Sequence, residues 1–268
     1  MKSKRIKSIL LTLTIFLSLS LYAQDFQGKA YYYKKTTMEL GNWGAKMSEA
    51  QKKQIYERLK NRLEKTYVLT FNKEESVYDE IEKLDAISGA TDSWGKNFTP
   101  GELYKNVKKN TLIQNQELYG KRFLVKDSLM TFDWVMGSET KQIGNYTCFK
   151  ATCKVPSTDL EWWSFSWGNL NESDSETEEI NMTEVTAWYS PQIPVSIGPL
   201  EYWGLPGLIL EVSSGNTIML CSKIVLNPEE KTDIEAPSKG AEVTKNEYQD
   251  IIVKKMREFR DNRGGRRR

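Results

Sequence analysis

The sequence predicts a β-rich α+β domain, built as a curved antiparallel sheet or half-barrel of about nine or ten strands with two helices. Three observations predict it. Stretches such as Thr66–Asn72 and Thr217–Leu226 alternate apolar and polar residues at a period of two, as a sheet with one buried and one wet face requires. These stretches follow one another closely with turn residues between them, which favours antiparallel neighbours. Only two segments, near 48–65 and 244–261, carry a helical period.

Taken in order, Met1–Ala23 reads as a secretory signal peptide. Lys2, Lys4, Arg5 and Lys7 precede the apolar run Ile9–Leu21, which is too short to span a bilayer. Phe26–Lys35 is aromatic-rich and reads as a strand. Ser48 caps a helix to Lys65 whose stripe is Ile55, Tyr56, Leu59 and Leu63, expected to pack across the sheet. Thr66–Asn72 and Ser76–Leu84 form a hairpin, and Ala86–Gly101 is a loop. Glu117–Lys126 and Thr131–Met136 are strands joined at Asp127-Ser128, and Lys141–Val155 is one long strand. Leu160–Trp167 is aromatic-rich and 171–179 is acidic. Glu184–Tyr189 is a strand, Lys231–Gly240 is linker-like, and Thr244–Asp261 is a helix facing inward through Tyr248, Ile251, Ile252 and Met256. The expected division is a signal peptide at 1–23, a single domain at 24–260 and a flexible basic tail at 261–268.

Ile193–Leu210 (IPVSIGPLEYWGLPGLIL) is the most distinctive stretch. Gly204-Leu205-Pro206-Gly207 predicts a type II turn, proline presetting φ and the following glycine taking φ > 0, and Leu208-Ile209 then enters a buried strand. With MSEAQKKQ (47–54), EKTYVLTFNKEESVYDE (64–80), GSETKQIGNYTCFKA (137–151), VTAWYSPQIPV (185–195) and IMLCSKIVLNP (218–228), this block resembles the GLPGLI family. The resemblance implies an exported protein of Bacteroidetes-type bacteria with no assigned activity, and it carries over no catalytic residues. The strand pattern is also similar to the half-barrel of periplasmic lipoprotein carriers.

Composition excludes chemistry. There is no histidine, so neither a Ser–His–Asp triad nor a His-ligated metal site can be built. Losing Met1–Ala23 removes four of 38 basic residues and none of 36 acidic ones, leaving −2 and no field to attract nucleic acid. No cofactor, metal site or mature transmembrane segment is expected. The chain reads as a non-enzyme, with a histidine-independent hydrolase as the alternative.

Several residues are candidates. Trp188, Tyr189, Pro191, Pro194, Tyr202, Trp203, Leu205 and Pro206 either line an apolar mouth or clamp a rigid corner. Trp162, Trp163, Phe165 and Trp167 form a binding patch or pack onto the sheet. The acidic run 171–179 lacks the spacing of a Ca²⁺ loop. Ser128, in Asp127-Ser128-Leu129, is a candidate O-glycosylation acceptor. Strict alternation puts Cys148 and Cys221 on the less apolar faces of their strands, favouring that disulfide over Cys153–Cys221. The expected partner is an apolar ligand (lipid, acyl chain or peptide) for a periplasmic or secreted carrier. Failing that, it is an envelope protein for a structural accessory of an outer-membrane machine.

Overall fold

The computed structural model describes residues 26–38, 44–81, 100–160, 162–165 and 181–264. Among these, the elements run β1 (Gly28–Thr36), α1 (Glu49–Leu63), β2 (Glu64–Phe71), β3 (Glu75–Glu80), β4 (Leu103–Asn106), β5 (Thr111–Leu118), β6 (Lys121–Asp127) and β7 (Val135–Ile143). Then come β8 (Tyr146–Pro156), α2 (Ser157–Leu160), β9 (Met182–Ser190), β10 (Leu208–Ser214), β11 (Thr217–Leu226), β12 (Ala241–Val243) and α3 (Lys245–Gly264). The protein is β-rich: the strands form one 12-stranded sheet in the order β12-β6-β5-β4-β3-β2-β1-β11-β10-β9-β8-β7. Every neighbouring pair is antiparallel except β12–β6, so the sheet is mixed by a single short edge strand. The signal peptide, Trp167 and the acidic run lie outside the described residues, as do 265–268 of the basic tail.

The local causes are short-range. Asn72 Oδ1 accepts the N–H groups of Glu74 and Glu75 at 2.8 and 2.7 Å, which closes the β2–β3 turn. Tyr119 and Gly120 at φ 50° and 77° reverse the chain between β5 and β6. Ser48 caps α1 through a reciprocal capping box with Gln51. Thr244 and Glu247 make the equivalent pair at the start of α3. The α1 stripe rests against β1 and β2 without burying any residue, so the helix adds little to the core.

Register defines two faces. Met219, Val212, Ala187 and Ala151 lie opposite one another across β11, β10, β9 and β8, all buried on the inner face. Tyr32, Leu69, Tyr78 and Leu103 continue that face through β1 to β4. Helix α3 closes its far end with buried Tyr248, Ile252 and Met256, Tyr248 lying edge-on to Phe123 and to Trp162.

The architecture corrects several strand expectations. Lys141–Val155 is not one strand, because Gly144 at φ 58° turns β7 into β8. Phe132–Trp134 is not extended and precedes β7. Strands β4 and the first part of β5 carried no alternation signal, because their inward positions include Lys105, Gln114 and Gln116. The terminal helix extends to Gly264, past the expected tail boundary.

The Cys148–Cys221 bridge is also corrected: Cys148, Cys153 and Cys221 are all buried free thiols. Ser222 is an extra residue in β11, since Tyr31 pairs with Lys223 but Tyr32 with Cys221. This bulge reverses the alternation, so Ile218 and Leu220 point outward while Met219 and Cys221 point inward. Cys221 therefore shares the inner face with Cys153, and Cys148 lies on the outer one beside Lys141. Strands β9 and β10 separate β8 from β11, putting the backbones about 14 Å apart in a sheet of ~4.8 Å spacing, twice the reach of a disulfide.

Candidate functional site

The apolar stretch 193–207 leaves β9, folds over the inner face and returns as β10. Ile193, Ile197 and Leu205 are almost fully buried, so the segment fills the core. Its anchor is Lys105, whose side chain stands on the inner face of β4 and is 0% exposed. The Lys105 Nζ donates to the carbonyls of Gly198 at 2.6 Å, Tyr202 at 3.1 Å and, in a short contact, Leu200. Leu200 holds φ 45°, a left-handed conformation rare for a leucine. Burial pulls the Lys105 pKa from 10.5 down to about 7, with the Glu201 carboxylate opposing the fall. The carbonyl oxygens also favour the ammonium, whose N–H groups match them in number.

Glu201, 4% exposed, faces away from this cluster toward α3. Its Oε1 accepts the Trp162 indole N–H at 2.5 Å, and its Oε2 accepts Lys245 Nζ at 2.5 Å. Lys245 also lies 5.6 Å from the Trp162 ring centre. One loop is thus tied to the middle of the sheet through Lys105 and to the start of α3 through Glu201. Neither residue was singled out from sequence. Glu201 had a signal, as the lone charge within Ile193–Leu210. Lys105 had none, because β4 spans only four residues.

The expected type II turn is not formed at Pro206-Gly207, where the Gly207 N–H donates to the Leu205 carbonyl at 2.8 Å. The glycine with positive φ is Gly204, at 93°, not Gly207. Gly207 is needed for close approach: a Cβ there would lie 2.3 Å from the Ser190 carbonyl oxygen. Indoles clasp the corner, Trp203 Nε1 donating to Met130 O at 2.7 Å and Trp134 Nε1 to Trp203 O at 2.8 Å.

The proposed lining residues do not converge on one mouth. Tyr202 and Leu205 are core, Trp203 is half-buried in its clasp, and Pro206 is exposed. Tyr189 belongs to the inner face, whereas Trp188 is on the outer one with Lys141 4.4 Å over its ring. Pro191 and Pro194 are exposed. Trp162 and Trp163 are buried and Phe165 packs against the core. Ser128 is exposed, its N–H donating to Asp127 Oδ1 at 2.8 Å and its hydroxyl to the same oxygen at 3.5 Å.

Burial raises the thiol pKa of Cys148 to about 11 and of Cys153 and Cys221 to about 12, so none is a reactive thiolate at neutral pH. Among the described residues, no group of His, Cys, Asp or Glu gathers that could hold a metal ion. No described helix is long and apolar enough to cross a membrane.

The outer face is different in character. Val135, Thr152, Thr186, Ser213 and Ile218 form one row across β7 to β11. Val135 and Ile218 are 66% and 49% exposed, and Met182 on the same face of β9 is 52% exposed. Edge strand β7 carries extra residues between Met136 and Thr140, a bulge that blunts the edge against strand addition.

The chain is similar to a family of unknown function and, in fold, to solved structures. A family model described as "Protein of unknown function (Porph_ging)" matches residues 134–211, the segment from β7 through the loop into β10. No curated protein matches the chain. Two solved structures of PNGF-II, in C2 and P21 space groups, share the fold at TM-score 0.50 with 15% and 16% identity. They match over 85% and 84% of this chain. The chain spans about a third of their length, 32% and 33%.

Proposed function

We propose that this is an exported, non-catalytic interaction module of the cell envelope, of GLPGLI type, that engages a protein partner through its outer sheet face. The observation that carries this reading is the burial of the signature loop. Ile197 and Leu205 are 0% exposed, so the aromatic corner supports the fold and does not offer a surface. The outer face instead exposes apolar side chains, among them Val135 and Ile218 at the two ends of one row, Met182 and Leu220. The recurrence of this fold within the much longer PNGF-II chain supports a modular role. The absence of histidine supports a role without acid–base chemistry at neutral pH.

Carriage of a lipid, acyl chain or peptide would require the loop to leave the inner face, breaking the Lys105 and Glu201 contacts. The test is native mass spectrometry of protein purified from its own cells, beside photo-crosslinking from Val135 and Ile218. Crosslinks to one envelope protein from both positions support the interaction reading. Stoichiometric lipid with no crosslinked partner would replace it with carriage.

A further inference from the structure

We infer that the segment Gly198–Tyr202 is a cradle for a small monovalent cation, and that the Lys105 ammonium is a tethered ion filling it. The geometry points to this independently of the outer-face reading. Carbonyl oxygens at alternate positions, Gly198, Leu200 and Tyr202, converge on one nitrogen from a single five-residue segment. Alternate carbonyls of an ordinary strand point the same way without meeting at a point. The positive φ of Leu200 bends this segment so that they do meet. The N···O distances of 2.6 and 3.1 Å are also those at which carbonyl oxygens replace the hydration shell of a potassium-sized ion. The Glu201 carboxylate lies close enough to favour positive charge at Lys105, although it makes its own bonds to Trp162 and Lys245. A buried cluster of carbonyl oxygens with no partner would be an unsatisfied acceptor set, so an occupant that satisfies them stabilises this shape of the loop. The lysine stem delivers the cation from β4, which registers the loop against the middle of the sheet.

The test is ionic rescue of Lys105→Ala, which vacates the cradle and the path of the stem. Urea midpoints are compared in equal concentrations of potassium, methylammonium and tetramethylammonium chloride. Potassium and methylammonium raise the Lys105→Ala midpoint saturably above its value in tetramethylammonium, which is too large to enter. The wild type and Lys105→Met, whose cradles are blocked, show no such difference. Equal midpoints of Lys105→Ala in all three salts, or failure to fold in any, overturn the inference. A second measurement uses the wild type alone, so it stands whether or not the variant folds. At pH 6, a slowly exchanging Lys105 ammonium resonance with couplings to the carbonyl carbons of Gly198, Leu200 and Tyr202 is expected. A rapidly exchanging amine without those couplings overturns it.

Discussion

Lys105 Nζ donates to the Gly198 carbonyl at 2.6 Å, joining positions 93 residues apart in the chain. With the neighbouring contacts, this bond turns the most apolar loop of the sequence into the floor of the core. It also explains how a lysine comes to be wholly buried: its donors meet fixed acceptors that replace water.

Replacing Lys105 with methionine keeps the bulk and removes the donors. The carbonyls of Gly198, Leu200 and Tyr202 are then left without their shared partner. The expected loss is about 2–5 kcal/mol in urea unfolding. Lys108→Met, which removes an exposed partner of Glu74, is expected to change stability by under ~0.5 kcal/mol.

The same lysine sets a pH dependence. Its folded pKa of about 7 lies below its ordinary 10.5. Between those values the unfolded chain keeps a proton that the native chain has released, so unfolding free energy rises with pH, by at most about 1.4 kcal/mol per unit for one proton. Above pH 9 the buried thiols, raised to about 11 or 12, keep protons that the unfolded chain loses, and stability falls again. Urea midpoints across pH 6–11 are expected to peak between about 8 and 9. Lys105→Met is expected to lack the rising limb.

Gly207→Ala places a Cβ 2.3 Å from the Ser190 carbonyl oxygen, where backbone must move. A loss of about 2 kcal/mol or more in thermal or urea unfolding is expected. Gly215→Asn is the contrasting change: φ there is 52°, no atom lies within 4 Å of a new Cβ, and asparagine tolerates that conformation. It is expected to cost under about 1 kcal/mol.

Cys148, Cys153 and Cys221 are expected to titrate as free thiols without reductant, and only after unfolding. Mass spectrometry after alkylation in native buffer and in urea reads this directly. A mass two hydrogens short of the free-thiol value would show a bridge.

Glu201→Gln removes the charge that pairs with Lys245 and weakens the acceptor for Trp162. Lys245 is then left 15% exposed without its carboxylate. A loss of about 2–4 kcal/mol is expected, with a change in Trp162 emission, in equilibrium unfolding followed by fluorescence.

Much of the fold was legible because sheet periodicity is a local property. Strands β9 and β11 and both long helices fall within a few residues of their expected places, and the Ser48 cap is where its motif puts it. The paired turns were less legible. Tyr119-Gly120 and Gly144-Asn145 each contain a reversal, yet alternation on either side reads through them as one strand. Strand β4 was hidden because a lysine occupies an inward position there, and only a partner from the far side of the core makes that tolerable.

Amino-acid order alone determined the β-rich class, the Ser48 cap and the exclusion of histidine chemistry, and it marked out Ile193–Leu210 without deciding between a mouth and a clamp. Each follows from periodicity, composition or turn chemistry within a short window. Tertiary structure alone decided the inward turn of Cys221 at the Ser222 bulge, the close approach that requires Gly207, and the pairing of Lys105 with carbonyls from a distant loop. Those outcomes depend on which strand lies beside which, and one extra residue in a ladder reverses every face assignment beyond it.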